Sequence, residues 1–496
     1  MSDLVLCTLN ARYQHTAFGL RCLRANLGEL RDRSELLEFD LSVRPTDVVE
    51  RILAKKPVVV GFGVYVWNVT LIAEIVELLA TIAPSVFIVL GGPEVSHELD
   101  DQPWTRFAHT IVQGEGEHAF RALCEQVLAG KRPTNRVVPS RPPPIDTLAL
   151  PYDEYTDDDL RLRVLYVEAS RGCPYSCEFC LSALDKKVRN FPLEPFLASM
   201  QRLLDRGAKH FKFVDRTFNL KLDVSKRILE FFLSQHRDDL FLHFEMVPDR
   251  FPLELRELVS RFPKGTLQFE VGIQTFDPAV SQRISRKQDL ARLEDNLRFL
   301  HEAHVHVHAD LIAGLPGEDL ASFAAGFDRL VALKPSEIQL GILKRLRGAP
   351  IARHTNAFGM RYASRPPYEV LQTNALSFHE LQALKRFAKL WDSIANSGNF
   401  VETTPLLLST EPSPFKAFSG FSSWLFEREG KTSGLALLRL AELVVAYLDE
   451  QGHDARQLVL RDYQRGGRHE VPGFLSGAER PQRQARFGQR QARHRS

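Results

Sequence analysis

Cysteine, methionine, tryptophan and net charge are what this chain of 496 residues has little of. Six cysteines over such a length make no disulfide framework, which excludes the small, disulfide-stapled secreted class. Lys and Arg number 64 against 62 Asp and Glu, a formal net charge of +2, so no global pull toward nucleic acid is implied. No apolar run reaches spanning length, so neither a transmembrane helix nor a membrane partner is expected. The opening MSDLVLCTLN runs into a strand-like stretch without a charged n-region, an apolar h-region or a cleavage site, which points to a cytoplasmic location. No internal repeat is present. The length calls for two or three domains.

Short β-branched apolar runs at 4–9, 36–39, 58–64, 86–90 and 110–112 have the character of buried parallel strands. Between them lie helical patterns such as 68–82, in which Leu71, Ile72, Ile75, Leu78 and Leu79 recur on one face. Five such βα units predict an α/β domain over 1–130 built on a doubly wound parallel sheet. A linker follows over 131–160, rich in proline at its start. A second series, with strands at 164–169, 210–214, 242–246, 267–272, 305–312 and 337–343, predicts a partial (βα)6 parallel barrel over 161–350. In such barrels chemistry gathers at the carboxyl ends of the strands. Over 362–475 the pattern turns helical, at 378–395, 415–429 and 434–450, which predicts a C-terminal, mostly helical domain. The tail 476–496 is basic, has almost no core-forming residues and is expected to be disordered.

Three of the six cysteines, Cys173, Cys177 and Cys180, fall at spacings of four and three, directly after a strand, in a loop opened by Arg171 and Gly172. Structural zinc takes four protein ligands, and no fourth Cys or His stands at a suitable spacing nearby. Three thiolates on one short loop suit a cubane cluster with one iron left open. Three purely structural cysteines are the competing reading. With Phe179 at the aromatic position before the last cysteine, the motif resembles the signature of the radical S-adenosylmethionine (SAM) superfamily. That resemblance implies a 4Fe-4S cluster on Cys173, Cys177 and Cys180 whose open iron chelates the amino and carboxylate groups of SAM. One electron, from a donor such as flavodoxin or ferredoxin, then releases a 5′-deoxyadenosyl radical. Phe179 is implied beside the SAM adenine.

Further strand ends fit the resemblance. Residues 213–219 stand in the place of the second-strand motif that helps hold the methionyl amino group, with Asp215 for its acid. Glu245, ending the third strand, resembles the carboxylate that contacts the SAM ribose, and Gln274, ending the fourth, is aimed at the polar part of SAM. Residues 310–318 match the fifth-strand motif in which apolar backbone packs on adenine, making Ile312 and Gly314 candidates; Asp310 replaces the motif's first glycine, and Glu318 falls one residue late. The competing readings are a helix N-cap for Asp215 and a turn for Gln274. His304, His306 and His308 alternate with Val305 and Val307 on one strand face. The expectation is that the valines pack under the outer helices and the histidines face a polar lumen, with His308 placed to touch substrate or move a proton. A metal site is the competing reading, and for His304 a solvated strand start.

A doubly wound sheet ahead of such a barrel resembles the cobalamin-binding radical SAM subclass. The loops to inspect lie after the strands, at 10–15, 65–68, 91–94 and 114–117. Gly91 and Gly92 let backbone approach a bulky ligand such as the cobalamin nucleotide tail. The turn carrying Gly114 and Gly116 is frequent in the subclass, Tyr65 and Trp67 are suited to packing on the corrin, and Asn68 completes the set. The Asp-x-His-x-x-Gly motif of cobalamin mutases is absent: Gly19 lies four residues after His15 and no Asp precedes at the required spacing, so cobalamin is expected without a protein imidazole. A degenerate, empty pocket is the alternative. The resemblance implies an enzyme that methylates an unactivated carbon of a small-molecule substrate. Rearrangement or cyclisation without methyl transfer is a second reading, and a non-catalytic cobalamin or cluster sensor a third. An RNA-modifying methylthiotransferase-like enzyme is disfavoured because Cys7, Cys22 and Cys124 read as core and the C-terminal region as helical, so nucleic acid is not expected as a partner. The helical region, which resembles an extra domain of one group in the subclass, is expected to cap the open side of the barrel.

Overall fold

A computed structural model describes residues 2–235, 237, 239–468 and 470–475; the basic tail lies outside the described residues. The first sheet contains strands β1 (Leu4–Asn10), β2 (Ser34–Asp40), β3 (Val59–Gly63), β4 (Phe87–Gly91) and β5 (Thr110–Gln113). All seven residues of β1 are buried, because β2 and β3 pair with it on either side and helices cover both faces. The order is β2-β1-β3-β4-β5-β6, parallel throughout, so the strand order reverses between β1 and β3 and opens a crevice at their carboxyl ends. The sixth strand, β6 (Val137–Pro139), corrects the linker reading. It pairs with β5 through Ile111 and Val137, and Pro139 is tolerated because the strand is at the edge.

The second sheet begins with β7 (Leu165–Val167); an antiparallel clip, β8 (Ser170–Arg171) and β9 (Arg189–Asn190), then brackets the cysteine loop. It continues through β10 (His210–Phe213), β11 (Phe241–Met246), β12 (Leu267–Gln274), β13 (His306–Ala313) and β14 (Glu337–Ile342). The order β14-β13-β12-β11-β10-β7 is that of a six-stranded parallel partial barrel. Alternation decides its chemistry. On β11, Leu242, Phe244 and Met246 are buried in the core, while His243 and Glu245 occupy the opposite face. Phe213 stacks on Phe244 at 4.4 Å between centroids and meets Phe232 of the helix Leu222–Ser234 edge-on. The outer layer is therefore aromatic and the lumen polar. Val305 and Val307 are buried in the core, His306 Nε2 lies 3.2 Å from Glu337 Oε1, and His308 Nε2 lies 3.7 Å from Asp310 Oδ1. His304 precedes the strand in a left-handed turn with φ 54°, so it does not share the strand face.

Beyond the barrel come a small hairpin, β15 (Arg361–Tyr362) and β16 (Val370–Gln372), and the helices Phe378–Ile394, Thr403–Leu408, Pro414–Glu429, Leu437–Glu450 and Arg456–Arg465. Phe387 and Trp391 pack edge-on against Phe327 of the helix Leu320–Ala332. The Asn396 side chain accepts from Ile338 N–H and donates to Ile338 O, both at 2.9 Å, so it pairs with the edge strand β14 as a neighbouring strand would. The helical region thus covers the β14 edge and an outer helix, and none of its helices lines the two cavities described below. The helices therefore sit at the open β14 edge of the barrel without contributing to the lining of either cavity. Among the described residues no helix is long and apolar enough to cross a membrane. Asn396→Ala leaves a buried N–H and C=O of β14 unpaired and is expected to cost about 1–3 kcal/mol, read as a lowered Tm.

Candidate active site

The cysteine loop owes its course to Gly172, whose φ is 91° and where a Cβ would lie 2.4 Å from the Lys187 carbonyl oxygen. Cys173 N–H donates to Asp185 O at 2.8 Å. Buried Glu178 fastens the other end: it accepts from Ser285 Oγ at 2.7 Å and from Arg353, and lies 2.6 Å from His354 Nε2. Arg286 donates through Nη1 to Cys177 Sγ at 3.3 Å and through Nη2 to the Gly272 carbonyl. Burial pushes the Cys173 thiol up. All three thiols, with Phe179, line a cavity of about 160 Å³. Among the described residues no three His, Cys, Asp or Glu side chains converge as around one ion. Three thiols spread around a cavity on one loop are a donor set that fits a cluster, whose irons are separate centres.

The strand ends supply the opposite wall. The register of β12 and β13 slips between Gly272 and Gln274, and Gln274 takes a left-handed φ of 72°. This bulge folds Gln274 over Gly272, where a Cβ would lie 2.4 Å from the Gln274 amide nitrogen. Gln274 is 8% exposed, and its Oε1 has no hydrogen-bond partner among the described residues. Glu245 is held by Arg216 Nη1 at 3.0 and 3.3 Å, and burial pushes its carboxyl up against that pairing. Burial also opposes the charge on Glu270, yet His243 at 3.0 Å and Lys212 at 3.2 Å hold it well below the usual carboxylate range. Asp310 is pushed well above that range by burial and by the charges of Glu270 and Glu245.

A larger cavity of about 500 Å³ lies at the carboxyl ends of β3, β4 and β5, facing the barrel. Gly61, Gly63, Gly91, Gly92, Gly114, Gly116 and Tyr65 line it from the first sheet. Gly92 is required, with φ 108° and a Cβ position 2.5 Å from Val64 O. Burial pushes the Tyr65 phenol up to about 12. The floor of glycines fits a large ligand that backbone must approach closely, and no histidine is among the lining residues. At its barrel side Arg171 reaches Glu115 at 2.9 Å, Glu117 at 2.7 Å and Glu168 at 2.9 Å. Burial raises the Glu168 carboxyl to about 7 in spite of Arg171. Arg216 lines both cavities, so they adjoin there.

Five candidates fall elsewhere. Asp215 is buried and turned to the end of β7, accepting from Ala169 N–H at 3.0 Å and Ser170 Oγ at 2.6 Å, and it lines neither cavity. Ile312 and Gly314 line neither; a Cβ on Gly314 would lie 2.5 Å from Val370 Cγ1, so this glycine admits the hairpin. Trp67 stacks on Tyr65 at 4.5 Å but stays outside the larger cavity, donating to Leu9 O at 3.1 Å. Asn68 is fully buried and bonds Thr8 Oγ1, Leu9 O, Gly63 O and Tyr65 N–H, which ties β1 to β3. Arg171, which opens the cysteine loop, and Arg216, inside the 213–219 motif, were given no role from sequence, and Arg286 lies in no motif; only folding brings the three to the cavities.

Residues 5–124 match the B12 binding domain family, 167–330 the radical SAM superfamily, and 356–494 a family described as a protein of unknown function, DUF4080. The chain is 25% identical over 468 residues to the cobalamin-dependent radical SAM methyltransferase TokK of Streptomyces tokunonensis, covering 79% of this chain. It is 27% identical over 384 residues, 65% of this chain, to the 2-(S-pantetheinyl)-carbapenam-3-carboxylate methyltransferase of Streptantibioticus cattleyicolor. It spans 65% and 55% of the lengths of these two relatives. The solved structure of the cobalamin-dependent SAM radical enzyme OxsB superposes with a TM-score of 0.62 over 93% of this chain and 78% of that chain, at 14% identity, a likeness of fold.

Asp215 supplies a test of the correction. Burial raises its carboxyl from 3.8 to about 6, so the folded state holds the proton longer than the unfolded chain. Its contribution to stability is present below pH 3.8 and lost as pH rises through about 6. Asp215→Asn is therefore expected to gain Tm relative to wild type between pH 4.5 and 7.5, measured by thermal unfolding across that range.

Proposed function

We propose that this chain, in which a B12 binding domain precedes a radical SAM domain, is a cobalamin-dependent radical SAM methyltransferase that acts on a carbon of a small molecule. The single observation that carries this reading is the adjacency of the two cavities at Arg216, one ringed by three thiols and one floored by glycines. When bound, a 4Fe-4S cluster with SAM supplies a radical that takes hydrogen from an unactivated carbon, and cobalamin supplies a methyl group. The family matches and the TokK relative support both cofactors.

In this reading Cys173, Cys177 and Cys180 hold the cluster, and Arg286 stabilises the Cys177 thiolate by charge-assisted hydrogen bonding. Phe179 offers an apolar wall to the adenine, and Glu245 offers a carboxylate to ribose hydroxyls while Arg216 fixes its direction. Gly91, Gly92, Gly114 and Gly116 bring backbone against the cobalamin, and Tyr65 walls it without an imidazole. A substrate must be reached from both sides, which assigns it to the junction at Arg216. A reducing electron donor is required as a partner.

Anaerobic reconstitution with cobalamin supplied is expected to give four irons and one corrinoid per chain. Cys177→Ala should lose the iron and keep the corrinoid, and Gly92→Ala, which forces a Cβ onto Val64 O, should lose the corrinoid and keep the iron. Iron, sulfide and corrinoid analysis reads both. Loss of both cofactors together in either variant, or a cluster with no corrinoid in wild type, would overturn the two-cofactor reading.

A further inference from the structure

The cysteine loop has an outer face for which the site described above has no use. Its return limb carries Leu184, Lys186 and Lys187, all exposed, directly after Ala183, which lines the thiol-ringed cavity. On the other side of the loop, the Arg250 guanidinium lies over the Tyr175 ring, 5.9 Å from its centroid. Lys287 stands next to the Arg286 that donates to Cys177, and both Lys287 and Tyr175 line the same cavity. Arg250 and Lys287 are exposed as well. Among the described residues none of these four cations makes an ion pair. Most of the carboxylates around them are taken: Asp185 pairs with Arg189, Glu178 with Arg353 and His354, and Asp289 with Arg292. That leaves Asp249, which accepts from Asp289 N–H at 2.9 Å, against four cations. The whole chain has a formal net charge of only +2, so this excess is local to the loop.

Uncompensated charge of one sign steers an oppositely charged partner to the surface that bears it. Leu184, 46% exposed, and the exposed Pro174 give the patch an apolar centre inside a charged rim, which is the anatomy of a protein–protein contact. Its small extent suits a redox encounter, the class with the smallest specific interfaces. The same cations would attract a nucleic acid, but the three thiols lie directly behind this face, and only an electron carrier gains from that adjacency. We propose that the outer face of the cysteine loop, with Lys186, Lys187, Arg250 and Lys287, docks a small acidic one-electron carrier protein that reduces the cluster. The carrier is oxidised by one electron and the cluster is reduced by one; no bond forms or breaks. This rests on the function proposed above, which supplies the cluster and requires a reducing donor.

The test is equilibrium binding of two acidic carriers, oxidised flavodoxin and oxidised ferredoxin, to the full-length, cluster-loaded protein. Neither SAM nor reductant is present, so no turnover enters the readout. At least one carrier is expected to bind at about 20 mM salt and to weaken by about tenfold or more at about 300 mM, as screening shortens the reach of the charges. Carbodiimide, which joins carboxylates to amines in direct contact, is expected to link that carrier to Lys186, Lys187 or Lys287, as mapped by mass spectrometry. The double variant Lys186→Glu, Lys187→Glu is expected to keep its iron and to bind the carrier about tenfold more weakly. Lys264→Glu, at an exposed position just before the amino end of β12, is expected to bind as wild type does. Binding of neither carrier, binding indifferent to salt, or cross-links confined to other lysines would overturn the docking surface without needing any variant to fold. So would an unchanged affinity in the double variant, or an RNA duplex or a second copy of this chain that binds through Lys186 and Lys187 in place of the carriers. Wild type that holds no iron after reconstitution would instead remove the proposed function, and this inference with it.

Discussion

The two halves meet at the site around one largely enclosed cation. Arg171, two residues before the first cysteine of the loop, is held by Glu115 and Glu117 from the first sheet and by Glu168 at the end of β7. Arg189, from the other strand of the clip, binds Glu115 as well. Three carboxylates around one guanidinium are tolerable only while the cation is there, because burial already raises Glu168 to about 7 against the pull of Arg171, with the charges of Asp215 and Glu117 adding to the rise. Removing Arg171 would leave three carboxylates, Glu117 buried and Glu115 and Glu168 partly so, facing one another across the rim of the larger cavity. The same ion cluster therefore sets the sheet's glycine-floored crevice against the cysteine loop and fixes the distance over which the two cavities adjoin.

The adjacency follows from two topological facts. A doubly wound sheet opens its crevice at the carboxyl ends of its strands, and a parallel barrel gathers its polar ends at the same side of its own strands. Facing those two ends toward each other makes one continuous polar region out of two cavities. Arg216 sits in that region with its guanidinium bound to Glu245 through one nitrogen only, in a side chain half exposed. On either side the lining differs in kind. Toward the cluster it is charged, with Glu245, Glu270 and Asp310; toward the first sheet it is glycine and apolar side chains such as Leu20, Val89 and Val112.

Much of the fold was legible because it is carried by local pattern. The β-branched runs of the first sheet and the apolar and alternating runs of the second located eleven of the strands to within a residue or two. What escaped were β6, which contains a proline, is only half buried and pairs at an edge, and the two- and three-residue strands β8, β9, β15 and β16, which are too short to carry an apolar run. The cysteine loop was legible as a motif, as were the glycines after β4 and β5. Asp215, Ile312, Asn68 and Trp67 were named for their places at strand ends, and a strand end says nothing about which way a side chain turns. Arg286 shows the converse: no motif marks it, yet the turn of chain after β12 carries it to Cys177.

The C-terminal region reaches the site by an indirect route. Its helices cover the β14 edge and stay out of both cavities, but the chain between β14 and β16 runs back across the molecule. There Arg345 grips Glu98 with both terminal nitrogens, at 3.1 and 3.2 Å, and Arg347 and Tyr368 bind the buried Glu94. Glu94 follows the Gly91-Gly92 turn of the larger cavity by two residues. A few residues further along the same connection, Arg353 and His354 bind Glu178 within the cysteine loop. One segment thus braces the glycine turn and the cysteine loop at once, and its position is set by the helices that anchor the hairpin after it. The helical region, which lines neither cavity, is thereby joined to the loops of both through this one connecting segment.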